Sequence, residues 1–464
     1  MKVILYELNE IPYKLFIDYI EKYRYSSMAK LIKNGYLIKT NCDEKGELHP
    51  WTSWPTLHMG VSSAKHNYRY LNQDKHTNIL YPPIWDIAIK NKFTVGIFGL
   101  LQSKMREDYK EKYKFFVPDT FNISNRCKPK ELNSFQDLNT YFVSNLRRNK
   151  KTLNLEVFII LLKNLLSGNL TIKSLILIVR QLISEIIFKN FKFYRTIVQH
   201  DLSSILFNKL LKKYNPDFAA FFTNHLAASM HRYLKYTDLN KKFLTLPNLR
   251  KDSVLKGLNN ADQQIGKLIK FAKKNGYEII LASSIGQETI KPSHYESYKI
   301  GNFEKFSNQI NKGEYSVKLL PSMYPDYILK FESRKNLKDF LYKIEDIKTQ
   351  ENNKIFGYEY LNSGNLTLNL KIIFHSIKNE LHENYNNLDL PQELIFEKKV
   401  YNLNDLGIEI FQRGDATAYH IPKGIICFSN FNKKTHNILK NNLGQKKVLD
   451  IKNVPKIIID LLHA

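Results

Sequence analysis

The sequence predicts an α/β protein, with a central, mostly parallel β-sheet covered by helices on both faces, a helical insertion and a smaller α+β insertion. Two observations predict the sheet: short β-rich apolar runs alternate with helical patterns, and the residues that follow those runs are polar. A third predicts the insertions, because two long stretches, 128–213 and 288–400, break the alternation.

The elements follow in order. Val3–Glu7 is β-rich and stops at the polar cluster Glu7-Leu8-Asn9-Glu10. Pro12 then opens a helix, because proline suits a first turn, and Leu15, Phe16, Tyr19, Ile20 and Tyr23 keep helical spacing behind it. Pro83–Lys92 reads as another helix feeding the strand Thr94–Gly99. Phe218–Phe222 and Glu278–Leu281 are further strands, the second preceded by a helix near Ser253–Lys274 and the breaker Asn275-Gly276. Gly424–Phe428 is a late strand and Val454–Leu462 a closing helix. In a sheet of this kind ligands bind beyond the carboxyl ends of the strands, which here means near Glu7, Asn224 and Ser283. Within 128–213, Leu153–Leu166 and Ile172–Phe193 read as helices dense in Ile, Leu and Phe, with basic residues interleaved and few acids (Glu156, Glu185). A basic amphipathic pair over 151–195 suits an anionic membrane surface, and equally suits packing on the sheet.

Bulk properties narrow the class. With 464 residues, 43% hydrophobic and 25% charged, the chain has a globular composition and length for a large core. Cys42, Cys127 and Cys427 are far apart and show no CxxC spacing, which argues against a disulfide framework or zinc ribbon and suits a reducing compartment. The N-terminal apolar run is too short for a signal peptide. No stretch reaches the roughly 18 apolar residues of a membrane span. The expected location is therefore cytoplasmic, with a membrane-peripheral position open to the basic helices. A net charge of +26 invites an anionic partner, although a Lys-, Asn-, Ile- and Tyr-rich composition also spreads lysines over every solvated face. No zinc-finger, RRM or basic-zipper pattern is present, and nucleic acid is not an expected partner.

The chemistry-bearing stretch is His49-Pro50-Trp51-Thr52-Ser53-Trp54-Pro55-Thr56, followed by Gly60 and His66. It sets two adjacent hydroxyls in an aromatic and proline frame, shortly after a strand that ends in Glu7. Later come Leu226-Ala227-Ala228-Ser229-Met230-His231-Arg232-Tyr233, the turn Ser283-Ser284-Ile285-Gly286, and His420 before Gly424. The ordered set resembles the alkaline phosphatase superfamily, in particular its type I phosphodiesterase and nucleotide pyrophosphatase branch. Gly60–His66 is similar to that branch's spacing after the nucleophile helix, and Asp450–Ile457 to its closing segment. The resemblance covers the ends and centre of the chain. It implies an alkaline-phosphatase-like core over 1–127, 214–287 and 401–464, with 128–213 and 288–400 as the two insertions.

The family holds two divalent metals with Asp and His side chains. They activate a Thr or Ser nucleophile and clamp the phosphoryl oxygens. Carried over by position, the nucleophile falls on Thr52 or Ser53, positions that also suit a helix N-cap. The metal ligands fall on Glu7 (with Asn9 as a shifted alternative), His231 and His420, while Asn224 and His225 supply replacement polar contacts to substrate. Departures are equally specific. Ala227 stands where the resemblance places an Asp four residues before His231. Ser284 and Ile285 stand where it places an Asp and a His. Neither site then reaches the three protein ligands of a catalytic zinc. The expectation is a phosphoester or phosphodiester hydrolase, or phosphotransferase, with a remodelled site holding one zinc or manganese. The alternative is a catalytically degenerate binder of a phosphorylated small molecule or glycoconjugate.

Overall fold

The apolar run after Met1 becomes the strand on which the site is built. β1 (Lys2–Leu8) is buried on both sides along nearly its whole length, as an interior strand of a covered parallel sheet must be. In chain order there follow α1 (Tyr13–Lys22), α2 (Ser27–Lys33), β2 (Tyr36–Asn41), α3 (Pro50–Met59), α4 (Ser63–His66), α5 (Ile84–Lys90), β3 (Val95–Phe98) and β4 (Tyr113–Val117). Then come α6 (Asn133–Arg148), α7 (Leu155–Leu166), α8 (Ile172–Ile187), α9 (Arg195–Tyr214), β5 (Phe218–Thr223), α10 (His225–Tyr233), α11 (Leu249–Asn275), β6 (Tyr277–Ala282) and β7 (Gly286–Thr289). The structure is a computed structural model. It describes all residues except 45–47, 70, 72–79, 123–125, 149–154, 240–247, 291–293, 321, 323, 325, 361–365, 379–389, 413–415 and 445.

The main sheet has eight strands, in the order Val448–Asp450, β2, Ile425–Phe428, β6, β1, β5, β3, β4. β1 is parallel to β5 and β6, and β3 to β5 and β4. Only Ile425–Phe428 runs antiparallel to its neighbours β2 and β6. Register aligns Glu7 with Phe222 and with Ala282. The segments leaving β1, β5 and β6 (Asn9-Glu10, Asn224, Ser283-Ser284) therefore emerge at one edge, where the topology of an open α/β sheet puts a ligand site. A core of Tyr6, Phe98, Phe115, Phe207, Phe221, Leu226, Leu258 and Ile279 fills the space beneath the helices.

The expected strands and helices are present, several of them longer by a few residues. α11 begins at Leu249, because the Asn248 side chain caps the helix by accepting from Lys251 N–H, and it ends on Gly276 at φ 71°, a left-handed cap that glycine adopts without a Cβ clash. The expected helix Ile172–Phe193 is broken. α8 stops at Ile187, Phe188 is extended, and Lys189–Tyr194 form a 3₁₀ turn. The chain folds back there because the Gln181 amide donates to the Phe191 carbonyl at 2.8 Å and Arg195 pairs with Glu185 at 2.5 Å. Of the expected helix Leu153–Leu166, and of the basic segment 151–195, residues 151–154 lie outside the described residues.

The chain divides into two units: 1–69, 77–289 and 417–464 form one, and 70–76 with 290–416 the other. The helices α6–α9 belong to the first. The second has its own core around Tyr298, Phe306, Leu329, Phe340 and Phe356. It carries a four-stranded antiparallel sheet (Phe356–Tyr360, Thr367–Ile372, Asp326–Lys330, Lys318–Leu320), a three-stranded sheet built on His294–Ile300, and the helices Phe303–Asn311 and Arg334–Glu345.

Candidate active site

β1 ends in a turn whose last residue, Glu10, has φ 60°. A non-glycine residue in the left-handed region costs about 1 kcal/mol or more, and such strain gathers at functional sites. Several contacts hold the turn. Ile11 N–H donates to Ser283 Oγ at 3.0 Å, Asn9 donates to Glu10 Oε1 at 2.8 Å, and the Gln287 amide donates to Glu10 Oε2. The result is a carboxylate, 2% exposed, aimed at two histidines.

The histidines arrive from different directions. His231 rides on α10, which starts directly after β5. His420 lies on Ala418–Ile421, a strand that pairs antiparallel with β7 so that His420 faces Gln287. His231 Nε2 is 2.9 Å, and His420 Nε2 3.3 Å, from Glu10 Oε2. Each Nδ1 meets a backbone carbonyl, Ala418 O at 3.2 Å and Leu48 O at 2.6 Å respectively. A carbonyl only accepts, so each Nδ1 carries the hydrogen in the neutral ring and each Nε2 turns a lone pair toward the carboxylate. His420 Nε2 is buried and makes no hydrogen bond. Electron pairs converging in this way are held together by protons or by a cation. Burial works to raise the Glu10 carboxyl, but the His420 and His231 imidazoles outweigh it and hold the group well below the usual carboxylate range.

One ligand atom from each of Glu10, His231 and His420 lies within 4.8 Å of the others, the one such group among the described residues. One carboxylate and two imidazoles make a known three-ligand zinc set, and imidazoles fixed through Nδ1 on carbonyls are the usual outer support of a metal site. The chemistry of these donors fits one divalent metal.

The other sequence-predicted residues make contacts of their own. Asn9 and Asn224 are joined by a 2.7 Å hydrogen bond, and Trp54 Nε1 donates to Asn9 Oδ1 at 2.8 Å. Ser53, in the first turn of α3 and 1% exposed, lies 2.8 Å from Ser284 Oγ at the end of β6. Thr52 is half-buried beside it. Glu7 is not part of the cluster. It is buried, with Oε1 2.5 Å from His58 Nε2 on α3 and Oε2 without a hydrogen bond, and burial pushes its carboxyl up. His225 is also elsewhere. Its Nε2 meets the Gly257 carbonyl at 3.1 Å, its Nδ1 meets Thr223 Oγ1 at 2.8 Å, and its ring stacks on His200 at 4.0 Å.

Gln287, Glu10 and His66 complete the picture, of which only His66 was singled out in the sequence. Gln287 donates to Glu10 and to the carbonyl of Ala227 at 3.2 Å, so the position that lacks the expected Asp is tied through Gln287 to a carboxylate from β1. Glu10 was visible only as part of a polar strand end, and a positive φ leaves no mark in sequence. His66 accepts from Tyr68 N–H at Nδ1 (3.0 Å), and its Nε2 lies 2.9 Å from Thr56 Oγ1, which in turn donates to Glu44 at 2.5 Å. These bonds pin the turn after Gly60 onto α3.

The fold is mixed α/β, with a large, mostly parallel central sheet and smaller additional sheets. The chain belongs to the type I phosphodiesterase / nucleotide pyrophosphatase family, whose model matches residues 17–387. Among solved structures, human ectonucleotide pyrophosphatase / phosphodiesterase 5 is 10% identical, with a TM-score of 0.37 over 100% of this chain and 95% of that one. Phosphonoacetate hydrolase from Sinorhizobium meliloti 1021 is 11% identical, with a TM-score of 0.39 over 100% and 96%. The alkaline phosphatase PafA is 10% identical, with a TM-score of 0.43 over 99% and 95%. No curated protein sequence matches the chain.

Proposed function

We propose that the chain is a phosphodiesterase-type hydrolase or phosphotransferase working with one divalent metal, zinc or manganese, held by Glu10, His231 and His420. The observation that carries this is the convergence of the two Nε2 lone pairs and the Glu10 carboxylate. Glu10 takes the role of the carboxylate missing at Ala227. The donors for a second metal do not fit: Ile285 has no ligand atom, Ser284 is engaged with Ser53, and Glu7 is engaged with His58.

When bound, the metal supplies positive charge for a phosphoryl oxygen and lowers the pKa of a nearby hydroxyl. The chain's own residues do the rest. The first turn of α3 presents Thr52 and Ser53 at a helix N-terminus, where the partial positive charge favours a phosphate anion. Ser53 Oγ is the preferred nucleophile, because its hydrogen bond to Ser284 Oγ orients it at the strand ends. Attack by Ser53 Oγ forms the new O–P bond as the P–O bond to the leaving group breaks, the Ser53 proton passing to water and the departing alkoxide taking a proton from water. Water, or an acceptor alcohol in a transferase, then cleaves the phosphoserine. The Asn224 amide nitrogen is the donor offered to substrate oxygens, while Asn9 spends both of its N–H groups on Glu10 and on Asn224 Oδ1 and so positions them. The substrate is a phosphorylated small molecule or a glycoconjugate.

One observation favours the degenerate, binding-only reading: Ser53 is 1% exposed. Hydrolysis of an aryl phosphodiester by the zinc- or manganese-loaded chain separates the two. The enzyme reading expects turnover that falls at least about a hundredfold in Ser53→Ala, as removal of a nucleophile does, and that chelation abolishes. Thermal stabilisation by phosphate without any turnover would instead establish the binder.

A further inference from the structure

α8 has two faces in clean helical register. Ser174, Ile178, Gln181 and Glu185 meet the protein: Ser174 is buried, Ile178 packs on the core, Gln181 bonds to Phe191, and Glu185 holds Arg195. The opposite stripe (Ile172, Ile176, Val179, Ile183, Ile186) has the same spacing but is 77, 59, 52, 52 and 82% exposed. A shallow hollow of about 430 Å³ lies along it, with Arg180 and Ser184 as its polar margin. α7 repeats the pattern with Phe158, Leu162 and Leu166 at 64, 45 and 80% exposure. Proteins that function alone in water rarely leave apolar surface of this extent uncovered.

We propose that this face docks on an anionic bilayer surface. The charge around it selects that occupant. Lys163, Lys173, Arg180 and Lys192 are all exposed, whereas one of the two acids in this segment, Glu185, is consumed by Arg195. An apolar helical stripe bordered by lysine and arginine is the signature of a helix lying in the headgroup plane. Spanning is not an option for these helices, since among the described residues none is long and apolar enough to cross a membrane. A second copy of the chain is the disfavoured occupant. A twofold interface sets one basic-rimmed patch against another on a chain carrying +26, with only two acids in this segment to offset them.

The test is sedimentation of the full chain with phosphatidylcholine vesicles containing about a third phosphatidylserine, compared with phosphatidylcholine alone. The expected result is binding to the anionic vesicles that weakens as salt is raised. Ile176→Glu with Ile183→Glu should lower partitioning at least about tenfold while leaving the thermal melt unchanged, because both side chains are exposed. Lys173→Glu with Arg180→Glu should lower it too, with the apolar stripe intact. Three results would each overturn the proposal: no sedimentation at low salt, equal sedimentation of the isoleucine variant, or a solution dimer that the isoleucine substitutions dissolve.

Discussion

Glu7 and Glu10 stand three residues apart on one strand end and carry different burdens. Glu7, in the strand proper, must point into one of the two covered faces, and it is buried against His58. Glu10, past the last ladder bond and at φ 60°, is swung out to the histidines. Glu7→Gln should cost about 1–3 kcal/mol, the order of disturbing a buried hydrogen bond, measured by urea unfolding, and should leave metal binding intact. Glu10→Gln should do the reverse and abolish metal binding. The resemblance placed the ligand on Glu7 because alignment follows strand position, whereas a single left-handed residue decides which carboxylate faces the site. The meeting of His231 and His420, which the structure brings together at Glu10, was legible because their order along the chain survives in sequence. Gln287 was not, since it reaches Glu10 through the antiparallel pairing of β7 with Ala418–Ile421, a long-range contact with no local signature.

Elements follow the same logic. Strands buried on both faces, such as β1, β5 and β6, are written as unbroken apolar runs and were readable. β2 alternates buried and half-exposed residues, Tyr36-Leu37-Ile38-Lys39-Thr40-Asn41, and escaped notice among polar neighbours. The direction of Ile425–Phe428 has no sequence signature at all, yet it positions the close approach of β7. A Cβ at Gly286 would lie 2.3 Å from the Lys423 carbonyl and 3.0 Å from Pro12 Cα. Gly286→Ala should therefore destabilise by about 1–3 kcal/mol, the cost of overpacking, read as a lowered Tm. Where α9 and the start of α10 meet, the stacked pair His200 and His225 bonds to Tyr6, Asn260, Thr223 and the Gly257 carbonyl. Burial lowers His200 to about 4 and lowers His225 well below its ordinary value. The unfolded chain binds these protons first, so stability is complete above the free imidazole pKa near 6.5 and falls as pH drops toward 4. The expected slope is up to about 1.4 kcal/mol per pH unit for each histidine in that window. Urea unfolding at a series of pH values checks it, with His200→Gln flattening the curve.

At the scale of the whole molecule, the first unit contains every residue assigned here to metal, nucleophile and membrane contact, and the second unit has a core of its own. For 288–400 the sequence offered only the expectation of a smaller α+β insertion with short mixed elements; its strand pairing was not legible, because antiparallel order depends on contacts far apart in sequence. On the proposed function, the two-metal plan that the resemblance implies is reduced to one centre, built around a carboxylate from the turn after β1 instead of one from α10. Metal content per chain, measured by mass spectrometry on the full-length protein purified with zinc, tests this most directly. About one zinc per chain is expected, as three protein ligands can hold, retained in Glu7→Gln and lost in Glu10→Gln and in His420→Ala. Two metals per chain, or one that survives Glu10→Gln, would contradict it.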